Sequence, residues 1–192
     1  MNDKNDERER CPWSLSTEQY RRYHDEEWGR PCHDELRLFE MLLLEGAQAG
    51  LSWRTILEKR EGYRLLFDHF DAKKMARYTD AQLEKKLLDA RIVRNRLKVF
   101  GFRRNAQAYL KLCEEFGSLD AWLWQQVGGQ PVRNRWTAIG QVPAKTELSD
   151  RISKALQKRG FTFVGSTIIY AYLQAVGVVN DHLTTCFCHD RE

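Results

Sequence analysis

DELRLFEMLLLEG, residues 34–46, is the stretch that most limits how this chain can fold. Wound at 3.6 residues per turn, Leu36, Phe39 and Leu43 fall on one face, and Leu38, Met41 and Leu42 fall on another. A helix that is apolar on more than one face must be surrounded by other elements rather than laid on a surface. Yet this one runs into a carboxylate. Glu45, in LEGAQAGLSW, stands where a charge is costly unless it is paired, hydrogen-bonded or open to a pocket. Either the helix end turns toward solvent, helped by Gly46, or Glu45 faces a cavity that receives a ligand.

The rest of the chain supplies the surroundings as further helices. STEQYRRYHDEEWG opens with Ser16 and Gln19 at capping-box spacing and is ended by Gly29 and Pro31. Helical patterns follow in SWRTILEKREGYRLLF, from Asp80 to Asp89, from Arg94 to Glu115 and from Ser118 to Val127. SDRISKALQKRGF and FVGSTIIYAYLQAVG read the same way. No strand alternation and no internal repeat is sustained, so the class is all-α. GGQPVRNRWTAIGQVPAKTE, between residues 128 and 147, breaks the periodicity and is either a boundary between two lobes or a long loop inside one domain.

At 192 residues the chain has room for one domain or two small lobes, and one compact unit is the expectation. MNDKNDERER, residues 1–10, reads as a charged, solvated tail without the apolar core of a secretory signal, which leaves 11–192 as the helical domain. No apolar run approaches the ~20 residues of a membrane helix. With 42% hydrophobic and 30% charged residues the chain reads as a soluble protein, expected in the cytoplasm. Five cysteines in a reducing compartment are then thiols or metal ligands rather than a disulfide framework.

Two of those cysteines form a pattern with histidines. Cys11 and His24 lie near one end, and NDHLTTC sets His182 and Cys186 four apart near the other. If that last stretch is helical, the pair shares a face and can grip one ion. Two thiolates and two imidazoles suit tetrahedral zinc, which would be structural and would pin both ends to the body. Buried thiols with surface histidines is the competing explanation, Cys188 and His189 are alternative ligands, and a catalytic zinc with a water ligand is a further option.

Charge is focused in RIVRNRLKVFGFRR, residues 91–104. Arg91, Arg94, Arg96, Lys98, Arg103 and Arg104 supply six positive charges there, against a net +4 for the whole chain. Ile92 and Val93 would make a short turn between two helices, presenting the second helix N-terminus and its basic surroundings to a phosphate backbone. A solvated helix face with no partner gives the same pattern. Aromatics concentrate upstream: Trp13, Tyr20, Tyr23, Trp28 and Trp53. Rings at helical spacing usually fill a core, but with Glu45 they can also form a pocket that stacks a flat ligand and favours a cationic one.

CPW, YHDEEWG, LEGAQAGLSW, KRGFTFVGSTIIYAYLQAVGVVNDH and the final H-x-x-x-C together resemble the bacterial 3-methyladenine DNA glycosylase I family, over residues 11 to 188. The resemblance implies a helix-hairpin-helix fold, its hairpin at about residues 80–112, and monofunctional excision of 3-methyladenine from alkylated double-stranded DNA. It implies a structural zinc held by Cys11, His24, His182 and Cys186. It makes Glu45 the candidate catalytic carboxylate that contacts the base, Trp53 the stacking indole and Tyr23 a pocket wall, with Trp13, Tyr20 and Trp28 in or beside the pocket. Arg91, Arg94, Arg96 and Lys98 fall in the DNA-binding hairpin, and Gly50 and Leu51 in the segment approaching the gap left by a flipped nucleotide. Two positions depart from the family pattern: Arg91 replaces a glycine and Ala47 a second glutamine. The resemblance also implies that the aspartate used by many superfamily members is missing. One damaged base per protein makes a monomer sufficient. The contrasting expectation is a zinc-stabilised nucleic-acid-binding module without catalysis.

Overall fold

The computed structural model describes residues 8–190. The helices are α1 (Glu18–Glu26), α2 (Glu35–Gln48), α3 (Trp53–Leu66), α4 (Ala72–Met75), α5 (Asp80–Lys86), α6 (Arg96–Phe116), α7 (Leu119–Gln125), α8 (Glu147–Lys158) and α9 (Ser166–Ala175). Their starts are set locally. Thr17, Asp34, Ser52, Thr79, Asn95, Ser118 and Thr146 each turn a side-chain oxygen onto an otherwise unpaired first-turn amide of α1, α2, α3, α5, α6, α7 and α8. The cap of α1 is Thr17 rather than Ser16, because Pro12–Ser16 forms a short 3-10 turn and the chain becomes extended only at Thr17.

As the apolar pattern requires, α2 is the central post. Every residue from Leu38 to Ala47 is buried, with α9, α3, α6 and α7 packed around it. The buried apolar side chains form one continuous cluster from Tyr23 to Val179, and a second, small cluster gathers Cys11, Leu183, Cys186 and Cys188.

The connection after α7 is not free loop. Val132–Arg133 (β1) pairs in parallel with Val179–Asn180 (β2), Val132 opposite Val179 and Arg133 opposite Asn180. Two-residue strands are too short for an alternation to register in a sequence, but they dock the connector beside the C-terminal segment. The charged start also differs from expectation. Residues 1–7 lie outside the described residues, whereas Arg10 is 8% exposed and paired with Asp25, its Nε donating to Oδ1 at 3.0 Å and NH2 to Oδ2 at 2.9 Å. The Glu9 carbonyl accepts the Phe187 amide at 2.9 Å, so the last residues before Cys11 are fastened to the other end of the chain.

Candidate active site and metal cluster

Glu45 lies on the last turn of α2 and is 4% exposed. It opens on a cavity of about 340 Å³ lined by Trp13, Tyr20, Tyr23, Trp28 and Trp53, all five of the aromatic residues the sequence singles out. Its Oε2 has no hydrogen-bond partner. Burial alone raises its pKa to about 8. The other buried acid of α2, Glu40, makes the contrast. Arg60 Nε donates to Glu40 Oε1 at 2.6 Å and Arg64 Nε at 2.9 Å. A chain that pairs one buried carboxylate twice and leaves its neighbour bare has a cavity floor short of donors, which a ligand can supply.

The walls are fixed by ring-on-ring packing. Tyr23 meets Trp53 at 5.5 Å between centroids with planes 44° apart, and Trp13 meets Tyr20 edge-on at 5.3 Å and Trp28 edge-on at 5.0 Å. Trp53 is the first residue of α3, so the Ser52 cap that starts this helix also sets its indole. Burial first, then the neighbouring Glu45, pushes the Tyr23 phenol well above its ordinary range, so it stays protonated.

Behind this wall stand Cys11, His24, His182 and Cys186, all buried, with ligand atoms within 4.8 Å of one another. Cys11 Sγ lies 3.7 Å and Cys186 Sγ 3.6 Å from His182 Nδ1, and Cys186 Sγ lies 3.4 Å from His24 Nε2. A tetrahedral ion with usual zinc–sulfur and zinc–nitrogen bonds spans about 3.6 Å between sulfur and nitrogen, so the donor set fits. The outer nitrogens are occupied too: His24 Nδ1 faces Asp25 Oδ1 at 2.8 Å and His182 Nε2 faces the Trp28 carbonyl at 3.1 Å. The His182–Cys186 stretch is a series of turns, not the helix that spacing suggests. A side chain at Gly29 would fall 2.7 Å from His182 Nε2, which is why glycine stands there. The competing set of His24, Asp25 and Cys188 also comes within 4.8 Å, but Asp25 is taken by Arg10. Cluster and pocket share a wall: the Trp28 ring meets His182 edge-on at 4.6 Å and Trp13 meets His24 at 5.3 Å.

The basic segment forms the turn between α5 and α6. Gly62 of α3 lets it sit close, since a side chain there would reach within 2.4 Å of the Arg91 carbonyl. Its charges are not equivalent. Arg91 is exposed but grips Asp89 at 2.7 Å, holding that carboxyl down at about 2, and Arg96 pairs with Glu84 at 2.8 Å. Arg94 and Arg104 are exposed with no ion pair among the described residues. Lys98 leaves the exposed set altogether. It is 6% exposed, and its ammonium donates to the carbonyls of Ala47 at 2.8 Å and Ala49 at 2.6 Å. Gly50, in the left-handed region at φ 76°, and Leu51 are exposed just beyond those carbonyls.

The chain matches the methyladenine glycosylase family over residues 13–189. It belongs to that family. DNA-3-methyladenine glycosylase 1 of Escherichia coli strain K12 is 45% identical over 181 residues, 94% of this chain and 97% of that protein. A crystal structure of a 3-methyladenine DNA glycosylase I superposes with a TM-score of 0.92 at 45% identity, covering 94% of this chain and all of that one. The Staphylococcus aureus 3-methyladenine DNA glycosylase I, whose structure concerns 3-methyladenine recognition, gives 0.92 at 32% identity, with 95% and 97% covered. The mostly helical fold of a 3-methyladenine DNA glycosylase I is therefore shared.

Within this family member the structure gathers Glu45, Tyr23, Trp53, Trp13, Tyr20 and Trp28 around one cavity and Cys11, His24, His182 and Cys186 around one point. The sequence reading missed Gln48, Ile139, Val142, Ala171, Gln174 and Asp181, which complete the cavity lining. Asp181 directly precedes His182 in VVNDH, and that adjacency is the signal in the sequence that could have placed it near the site. Ile139 and Val142 arrive on the connector, whose path no local pattern specifies.

Proposed function

We propose that this chain is a monofunctional DNA glycosylase that flips 3-methyladenine out of alkylated double-stranded DNA and hydrolyses its glycosidic bond, with Glu45 discriminating the base. The observation that carries this reading is a carboxyl group with a bare oxygen, at the floor of an aromatic cavity, in a member of the methyladenine glycosylase family. The bond lies inside the duplex, so the nucleotide must leave the stack, at a cost of a few kcal/mol that is lowest for a damaged base. Arg94, Arg96 and Arg91 hold phosphates while Leu51 and Gly50 enter the gap.

A base methylated at N3 carries a positive charge. Trp53 and Tyr23 present ring faces that favour a flat cation, and Glu45 accepts hydrogen bonds from its edge. An empty pocket holds Glu45 mostly protonated near neutral pH, because burial lifts its pKa to about 8. A cationic base draws the proton off, so the pocket is matched to the damage and not to neutral adenine. The electron pair of the breaking carbon–nitrogen bond neutralises the departing base, and water adds its oxygen to the sugar carbon and gives up one proton to solvent. Little acid catalysis is needed. Asp181, the other acid in the cavity, has both oxygens committed to internal donors and is not free to act as a base.

Cys11, His24, His182 and Cys186 would hold one zinc ion, and four protein ligands give it a structural role. Residues 11–192 act as one glycosylase domain, as a monomer in the cytoplasm; no helix among the described residues is long and apolar enough to cross a membrane.

The deciding experiment is base release from methylated duplex DNA by the purified, zinc-loaded protein, wild type beside Glu45→Gln. Wild type should release 3-methyladenine without 7-methylguanine, and Glu45→Gln should be at least tenfold slower while binding undamaged DNA equally well. Equal rates would remove Glu45 from this role. A folded protein that binds DNA and releases nothing would be a nucleic-acid-binding module.

A further inference from the structure

Lys98 has its backbone in one functional element and its charge in another. It is the third residue of α6, and its amide donates to the Asn95 side chain at 3.2 Å in the cap that begins this helix, at the end turned toward DNA in the reading above. Its side chain runs inward. The ammonium ends between the carbonyls of Ala47 and Ala49, at the C-terminal end of α2. These carbonyls have no partner within their own helix, and a cation there also answers the negative end of the helix dipole. Glu45 lies two residues before Ala47 on the last turn of α2, and Gly50 and Leu51 follow Ala49 directly.

Burying an ammonium group is expensive, and desolvation lowers its pKa from the ordinary value. A neutral side chain would fill the same space at less cost, so what the ammonium supplies is a rigid two-point attachment. The turn's own bonds hold it to α2 and not to α6: the Leu51 amide donates to the Gln48 carbonyl at 2.7 Å and the Ala49 amide to the Gly46 carbonyl at 3.4 Å, while Gly50 has open space around it with no side chain to pack. Lys98 is what ties this turn to α6.

We propose that Lys98 is a positioning residue: it locks the 47–51 turn to the phosphate-gripping end of α6, so that Leu51 and Glu45 meet the DNA in fixed register with the backbone grip. This deepens the glycosylase reading and rests on it. It also reassigns Lys98 from a phosphate contact to a link between the grip and the wedge. Its neighbours Arg94 and Arg96 share its charge but not its burial.

Three readings on the full-length, zinc-loaded Lys98→Met variant test the assignment: single-turnover release of 3-methyladenine from methylated duplex DNA at saturating protein, affinity for free 3-methyladenine, and the salt dependence of binding to undamaged duplex. Release should slow by about 10- to 100-fold, the scale on which small misplacements act. Affinity for the free base should stay within twofold, since the pocket walls do not involve Lys98. The slope of log affinity against log salt should be unchanged, whereas loss of a phosphate contact would reduce it by about one. Lys98→Arg, which keeps a cation at the helix end, should recover part of the rate. Release within twofold of wild type overturns the proposal. So does a reduced salt slope, or a free-base affinity that falls in step with release. If Lys98→Met does not fold, the same readings on Lys98→Gln, which keeps an uncharged NH2 on a shorter stem, decide by the same criteria. Wild type that releases no base sinks the glycosylase reading itself, while active wild type beside an equally active variant sinks only the role of Lys98.

Discussion

Glu45 and Asp181 line the same cavity, both buried, and the chain treats them oppositely. Asp181 Oδ1 accepts from Asn134 Nδ2 and Trp136 Nε1, each at 2.7 Å, while Oδ2 accepts from Gln174 Nε2 at 2.7 Å and from the Tyr170 hydroxyl. Glu45 has an oxygen with no donor. One carboxylate is spent on the fold: it ties the connector, through Asn134 and Trp136, to α9, one residue before His182. The other is held in reserve for something that arrives. Two regions follow from this difference, a self-satisfied side built from Asp181 and the Cys/His cluster, and an unsatisfied side built from Glu45 and the rings. Variants on the first should lower stability, whereas removing the unsatisfied carboxylate on the second should change recognition without lowering it.

The largest effect belongs to the metal. If the cluster is the anchor of the self-satisfied side, stripping zinc with a chelator should lower stability by about 4 kcal/mol, the linkage expected for an ion in thousandfold excess over its dissociation constant. Calorimetry with and without chelator reads this directly, with metal content measured in both samples. An unchanged melt in fully stripped protein would break the division at its strongest point.

Asp181→Asn comes next. The shape is kept, but one of the two oxygens becomes an NH2 facing the two donors that oxygen accepted, at a cost of about 3 kcal/mol. Urea unfolding should show it as a shifted midpoint. A shift near zero would mean that Asp181, like Glu45, is not needed by the fold.

How much of this division was legible in the sequence depends on how local its causes are. α2 was legible because its burial is written in its own residues, and Glu45 because a carboxylate ending such a helix contradicts its surroundings. The Cys/His cluster was legible as residue types, yet the His182–Cys186 segment forms turns rather than a helix, with Gly29 and Trp28 packed against His182. Ile139, Val142 and Gln174 were not legible. Their place in the cavity depends on a connector held by a two-residue strand pair and by the donors on Asp181. Arg10 and Lys98 were misread for one reason: a charge in a charged stretch looks solvated, and only packing reveals which members of the run turn inward.

On the unsatisfied side, Glu45→Gln should stabilise the free protein, opposite in sign to Asp181→Asn. The folded pKa of Glu45 is raised to about 8 from an ordinary 4.5. Below 4.5 both states are protonated and the variant gains nothing; as pH rises toward 8 the unfolded chain ionises while the folded one does not, and wild type loses stability until the folded group also ionises. The gain for Glu45→Gln should therefore grow from near zero at pH 4.5 to about 3 kcal/mol at pH 7 and level off above pH 8. Melting curves of both proteins across that range measure it. A gain independent of pH would place the benefit elsewhere.

The smallest effect isolates the rings from the carboxylate. Trp53 packs against Tyr23 on one side and has an indole nitrogen without a partner, so the fold uses its face and leaves its N–H unused. Trp53→Ala should reduce affinity for free 3-methyladenine about tenfold, the contribution of one stacked base, about 1.4 kcal/mol. Trp53→Phe should lose less, because it keeps a ring face. The two variants together separate stacking from a hydrogen bond by the indole: if Trp53→Phe loses as much as Trp53→Ala, the unused N–H is a ligand contact, and the unsatisfied side contains two polar groups waiting for the base.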